Sequence, residues 1–154
     1  MIVISDTSPI TTLLQIGKVD LLHKLYGEVV IPEAVRAELL TSHQSLPDFF
    51  QCVPAANLGE VKRLLVELDP GEAEAIVLAK ERHADLLLID EHAGRKIATR
   101  EGLHFIGLVS VLVESKLEGF IPSLRDVLRE IETETTFFIS SEIKNLALKR
   151  AGEL

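Results

Sequence analysis

One cysteine, one methionine, one tyrosine and no tryptophan stand in a chain of 154 residues, and the scarcities exclude whole classes of protein. With Cys52 alone no disulfide can close within the chain, which points to a reducing, cytoplasmic setting. In its apolar context, "FFQCVP", Cys52 reads as a small core residue. His23, His43, His83, His92 and His104 are scattered without ligand spacing, so zinc finds no ready set of side chains. No apolar run approaches the ~20 residues of a membrane span. The N-terminal run is cut by Asp6 and lacks a basic region before it, so it does not read as a signal peptide. Positive charge is short as well: 16 Lys and Arg against 24 Asp and Glu leave a net charge of -8. That balance argues against a protein that grips nucleic acid through bulk positive charge. Nucleic acid as a substrate stays open, because carboxylates loaded with divalent cations present positive charge locally. A glycine-rich phosphate loop, a G-x-G-x-x-G fingerprint and a G-x-S-x-G elbow are all missing.

What is present is a regular alternation. "IVIS" (2–5), "EVVI" (28–31), "DLLLI" (85–89) and "HFIG" (104–107) are short, nearly unbroken apolar runs, with a weaker one at 51–54. Unbroken runs suit parallel strands covered on both faces. Helices are predicted over about 9–16, 18–26, 33–43, 71–83, 91–102, 108–118, 122–133 and 139–151. Another begins at Asn57, where Asn57 and Glu60 form a capping-box pattern. Pro32 and Pro70 suit first helical positions, and Gly102 and Gly119 suit helix stops. The pattern predicts a single three-layer α/β/α domain over 1–154 with a mainly parallel central sheet. Its core spans 1–117, and 118–154 form a helical extension. In that extension Phe137 and Phe138 read as core, the alternative being a dimer or partner contact, and Lys144, Lys149 and Arg150 form a mild basic stretch.

Four acids fall where such a sheet places ligands, beyond the carboxyl ends of its strands. Asp6 follows the first strand; either Asp6 or Ser8 ahead of Pro9 could cap the next helix, and a Ser8 cap would leave Asp6 free. Asp90 ends "LLLID" in the same way. Glu38, one helical turn past Ala34 and Val35, is predicted to project from the inward stripe of its helix. Glu72 is the N3 residue of a capping box opened by Asp69, yet it shares a helix line with Ile76 and Ala79. Glu74 aligns with Glu81 on another face and reads as a surface acid. Four carboxylates converging within a few ångströms would need cations, and hard oxygen donors suit Mg²⁺ or Mn²⁺.

"VISDTSPI", "IPEAVRAEL", "LDPGEAEAIVLA" and "LLLIDEHAGRKIA" together resemble the PIN-domain family, which includes the VapC-like toxins, over Met1 to about Leu117. The resemblance matches Asp6, Glu38, Glu72 and Asp90 to the family's four acids in order, and Thr7 or Ser8 to its nearby hydroxyl. The interval from Glu72 to Asp90 fits the family better than one counted from Glu74. The chain departs from the pattern in carrying Glu rather than Asp as third acid, and His92 where a further acid is common. The resemblance implies a ribonuclease that hydrolyses phosphodiester bonds with Mg²⁺ or Mn²⁺, Asp6 and Asp90 being direct ligands and Glu38 and Glu72 ligands or orienters. It also implies a homodimer and an antitoxin partner. Arg95, Lys96 and Arg100 could steer the RNA backbone, or simply form a solvated face. The alternative within the fold is a non-catalytic metal- or RNA-binding or assembly module. A phosphatase or receiver reading lacks its second aspartate at Ser8 or its later lysine.

Overall fold

The chain was described through a computed structural model covering residues 1–154. Its first strand, β1 (Val3–Ser5), is flanked in a five-stranded, wholly parallel sheet by β2 (Val29–Ile31) and β4 (Leu86–Leu88). The edges are β3 (Phe50–Cys52) beside β2 and β5 (Phe105–Ile106) beside β4, giving the order β3-β2-β1-β4-β5. All three residues of β1 and of β4 are buried, as unbroken apolar strands between two helical layers must be. The edges are wetter, and this corrects one expectation: Cys52 is exposed at the end of β3 rather than packed in the core.

Nine helices fill the connections: α1 (Thr7–Gln15), α2 (Asp20–Tyr26), α3 (Glu33–Ser42), α4 (Leu58–Leu64), α5 (Pro70–Glu81), α6 (His92–Arg100), α7 (Leu108–Leu117), α8 (Leu124–Glu134) and α9 (Ser141–Arg150). Each predicted helix is present, with ends shifted by a few residues. The shift at α1 matters: Ser8 lies inside its first turn and caps nothing, and Asp6 takes the N-cap position. Pro32 is likewise an N-cap, while Pro70 opens α5 as expected.

Successive strand residues feed opposite faces of the sheet. Val3, Leu86 and Leu88 join one cluster with residues of α1, α2, α3, α7, α8 and α9; Ile4, Leu87 and Ile89 join a second with α4, α5 and α6. Each fully buried Ile or Leu contributes about 1.5–3 kcal/mol, and both faces are continuous enough to hold the strand ends in place. The C-terminal helices belong to the first core, to which they supply Leu124, Leu128, Ile131 and Leu148. Phe137 packs against that cluster, but Phe138 is 85% exposed, which corrects the reading of the pair as core. In the extended segment Thr135–Ser140, neighbours face opposite ways: Phe137 and Ile139 turn inward and Phe138 outward. No helix is long and apolar enough to cross a membrane.

Candidate active site

The chain leaves β1 toward β2 and β3 on one side and later returns to β4 and β5 on the other. The sheet therefore reverses direction between β1 and β4, and a crevice opens there beyond the carboxyl ends. The register Ser5 to Leu88 sets Asp6 and Asp90 on the two sides of that split, and Asp6 N–H donates to Leu88 O at 2.9 Å. The crevice encloses about 990 Å³, and Asp6, Glu38, Glu72 and Asp90 all line it, with Asp69 and Glu91 beside them.

Asp6 is 3% exposed. It occupies the N-cap of α1, yet its carboxylate caps no amide. Burial pushes its pKa up to about 7; the Thr7 amide opposes that rise, and the charges of Glu72, Asp69 and Glu38 add to it. Gly71, in the first turn of α5, shows how closely the neighbours approach. A Cβ there would stand 2.8 Å from Glu38 Oε1 and 3.3 Å from both Asp6 Oδ1 and Thr7 Oγ1. Thr7 and Ser8 both line the crevice; the Thr7 hydroxyl lies among these acids, buried without a hydrogen bond of good geometry, and its nearness favours the ionised form of Glu38.

Glu38 itself is exposed. The buried line of α3 runs through Val35 and Leu39, and Glu38 flanks it, facing the crevice instead of lying beneath the helix. This corrects its assignment to the inward stripe. Its pKa is raised by partial burial and by Asp69.

Glu72 serves two purposes. The capping box is complete: Glu72 N–H donates to Asp69 Oδ1 at 2.9 Å, and Asp69 N–H donates to Glu72 Oε1 at 3.2 Å. The second oxygen, Oε2, is buried with no partner, a costly state for a carboxylate. Burial and the neighbouring Asp69 raise the pKa of Glu72 well above its usual range, although the Asp69 amide resists the rise. Oε2 points toward α6 at Gly94, where a Cβ would come within 3.1 Å. Glu74 is outside the crevice. It is half-buried and accepts from Ala34 N–H at 3.0 Å, tying α5 to the start of α3, so it is not the solvated surface acid expected.

Asp90 is held by more donors. Leu108 N–H, at the start of α7, donates to its two oxygens at 3.1 and 3.2 Å, and Arg95 Nη2 lies 3.7 Å from Oδ1. Burial nonetheless raises its pKa to about 6, against the pull of the Leu108 amide and Arg95. Arg95 is itself fixed: its Nε donates to Ile89 O at 2.9 Å and its guanidinium lies over the Phe105 ring. A side chain on Gly107 would collide with both Asp90 and Arg95, so glycine is required by the close approach.

The four acids thus share one crevice but not one point. No group of three or more carboxylate, imidazole or thiol side chains is drawn tightly enough to hold a metal ion as arranged. The expected convergence within a few ångströms is corrected to that extent. The Leu108 amide and Arg95 hold Asp90 on its own side of the crevice. Lys96 and Arg100 lie outside the crevice lining, and Arg100 stands 3.9 Å from Glu67. Residues that sequence reasoning missed are Asp69, seen only as a helix cap, and the far wall, where Phe138, Ile143, Leu146 and Arg150 come from the C-terminal segment.

A wholly parallel sheet between two helical layers, with acids lining the crevice at its switch point, is the α/β class of domain in which ligands bind beyond the carboxyl ends of the strands. The family model described as a PIN domain matches residues 2–153, and the chain belongs to the PIN-domain family. The match continues past Leu117 through the C-terminal helices, further than the sequence motifs reach. Comparison with curated proteins and with solved structures found no match. The PIN fold is a nuclease-type fold that implies nucleic-acid binding, and PIN domains typically use divalent metals.

Proposed function

We infer that this chain is an endoribonuclease that hydrolyses RNA phosphodiester bonds with Mg²⁺ or Mn²⁺. The observation that carries the reading is the state of Asp6 and Glu72. Both are buried at the switch point; one carboxylate caps nothing, and the other keeps one oxygen without any partner. Asp6 has only the Thr7 amide and Glu72 only the Asp69 amide to set against burial, and carboxylates so poorly supplied are destabilised unless a cation or proton joins them. The donor set fits a hard divalent ion, since it is all oxygen and is completed by Thr7 and the opening left beside Gly71. Asp6, Glu72 and Glu38 would hold the ion, with Asp90 on the opposite side of the crevice. When bound, such an ion supplies Lewis acidity, activating water and neutralising phosphate charge.

The chain's own residues supply the rest. Gly71 and Gly94 let α5 and α6 approach without obstructing the carboxylates. Arg95 and the Leu108 amide fix the Asp90 carboxylate, so its direction is set before substrate arrives. The finer reading, a toxin that pairs with itself and with an antitoxin, rests on the resemblance of its motifs to the VapC-like members.

The deciding assay is cleavage of mixed-sequence RNA by the full chain with Mn²⁺ or Mg²⁺, with chelator, and with Asp6→Asn. Loss of cleavage in both controls is the expected result. Cleavage that survives Asp6→Asn overturns the site. Metal binding without cleavage of any RNA moves the reading to a non-catalytic binding module.

A further inference from the structure

The crevice has an acidic floor, but its far wall is of another kind. Phe138 stands there 85% exposed, on a segment that is otherwise pinned. Thr135 Oγ1 donates to Ile131 O at 2.7 Å and accepts from Phe137 N–H at 3.1 Å. Phe137 packs against the core on one side of Phe138, Ile139 is 6% exposed on the other, and Ser140 caps α9 through Ile143 N–H. The ring is thus held out over the crevice by anchors immediately before and after it. Arg150, at the end of α9, also lines the crevice and forms no ion pair. Arg95, the other cation of the lining, is engaged with Asp90 and Ile89.

We propose that Phe138 is a base-stacking platform that positions single-stranded RNA across the crevice, with Arg150 taking a backbone phosphate. This rests on the nuclease reading of the same crevice. A flat, rigidly presented ring offers a π-face that any unpaired base can cover, and such stacking tolerates sequence. A base inside a duplex already has its faces covered by its neighbours, so the platform favours unpaired bases. An unpaired arginine lining the same crevice supplies the charge that the acidic floor cannot. Phe138 is a positioning residue; it touches the substrate away from the scissile bond.

The test uses the full chain with Mn²⁺ and a single-stranded RNA carrying 2-aminopurine at successive positions. Initial rates give KM and kcat, and fluorescence quenching gives affinity for a phosphorothioate analogue. Phe138→Ala and Phe138→Leu are expected to raise KM and weaken binding about tenfold with kcat nearly unchanged, while Phe138→Trp retains both. An abasic nucleotide at the stacked position should erase the difference between Phe138 and alanine. If the unmodified chain cleaves RNA and Phe138→Ala leaves KM and quenching unchanged, the platform is wrong and the nuclease reading stands. If Phe138→Ala instead turns a dimer into a monomer in sedimentation, the ring belongs to a contact between chains, and the platform is overturned. Phe138-dependent quenching without cleavage supports the platform and removes the catalytic reading. RNA neither bound nor cleaved removes both.

Discussion

Carboxylates in this molecule meet two fates. Glu74, Glu81 and Glu153 each reach the start of another helix and satisfy amides that have no partner within it. Glu74 accepts from Ala34 before the body of α3, Glu81 from Ala56 and Asn57 ahead of α4, and Glu153 from Leu124 and Arg125 at the start of α8. Helix N-termini favour negative charge, so these acids join elements together. Asp6 and Glu72 are better buried, yet one caps nothing and the other leaves an oxygen unpartnered. Asp90 is intermediate, bound by the first amide of α7 while still lining the crevice. The difference is one of donor supply rather than chemistry. Acids that hold the fold accept from amides of another helix, while Asp6 and Glu72 accept only from amides near them in sequence, which leaves Glu72 Oε2 without a partner.

The largest test of that division compares two glutamates two positions apart. Glu72→Gln should reduce metal-dependent RNA cleavage by more than about 100-fold, the upper end for losing even an outer partner of a metal site. Glu74→Gln should leave cleavage within a few-fold and instead weaken the joint between α5 and α3 by about 1 kcal/mol. Parallel rate and denaturation measurements would decide it. Equal losses of cleavage, or a larger loss at Glu74, would break the distinction.

The second test is pH-dependent stability of the metal-free protein. The pKa of Asp6 is raised from 3.8 to about 7, chiefly by burial, so the folded state holds that proton more tightly than the unfolded chain. Stability should therefore fall as pH rises from 3.8 toward 7, and the penalty should be fully present above that window. Asp6→Asn removes the charge and should raise stability on the order of 2 kcal/mol above pH 7, with little gain below pH 4. Adding Mn²⁺ should stabilise the parent chain and not the variant. Denaturant midpoints across pH would show it, and an Asp6→Asn protein less stable at pH 8 would sink the idea.

Much of this division was legible in the sequence, and the failures have a common cause. Asp6 and Asp90 could be placed because an apolar run ending in an acid marks a strand end by itself. Glu72 could be chosen over Glu74 by helix phase, which is local. Glu38 lies at the edge of the apolar stripe of α3 rather than within it, because i+3 and i+4 spacing locates a stripe only to within its width, and that edge faces the crevice. Cys52 looked internal because its neighbours are apolar, but apolar neighbours do not reveal that β3 is an edge strand. Asp69 was concealed by its capping role, which is real and simultaneous with its place at the crevice rim. For Phe138 the sequence offers only core or a partner contact, and for Arg150 only a mild basic stretch, so neither is legible as a crevice residue. They reach the crevice only because α8 and α9 fold back onto the first core, a contact between distant parts of the chain.

A smaller effect tests the acids that hold the fold together. Burial pushes the Glu153 carboxyl upward, but the amides of Arg125 and Leu124 and the ammonium of Lys116 outweigh it and leave the pKa lowered. Its contribution is therefore present above the ordinary value of 4.5 and lost as pH falls through the depressed one. Glu153→Ala should cost about 1–2 kcal/mol near neutral pH, with no dependence on Mn²⁺. The slope is opposite in sign to that of Asp6, so the two variants measured side by side sharpen the contrast. A Glu153→Ala protein whose stability answered to metal would blur it.

The smallest expected effect concerns the basic face of α6. Arg95 is fixed between Ile89 and Asp90, whereas Lys96 is exposed outside the crevice and Arg100 stands beside Glu67 with over half its side chain in water. Exposed charges of that kind contribute little, about 0–1 kcal/mol even when paired. Lys96→Gln and Arg100→Gln should therefore change cleavage and stability by less than about twofold each. Arg95→Gln should lower cleavage by about tenfold or more, because the Asp90 carboxylate loses a partner that sets its direction. Rates at low and raised salt would separate the two cases: steering by exposed cations fades with ionic strength, and positioning of a buried carboxylate does not. If Lys96→Gln or Arg100→Gln matched Arg95→Gln at low salt and recovered at high salt, the substrate path would run along α6. The Phe138 wall would then lie off it.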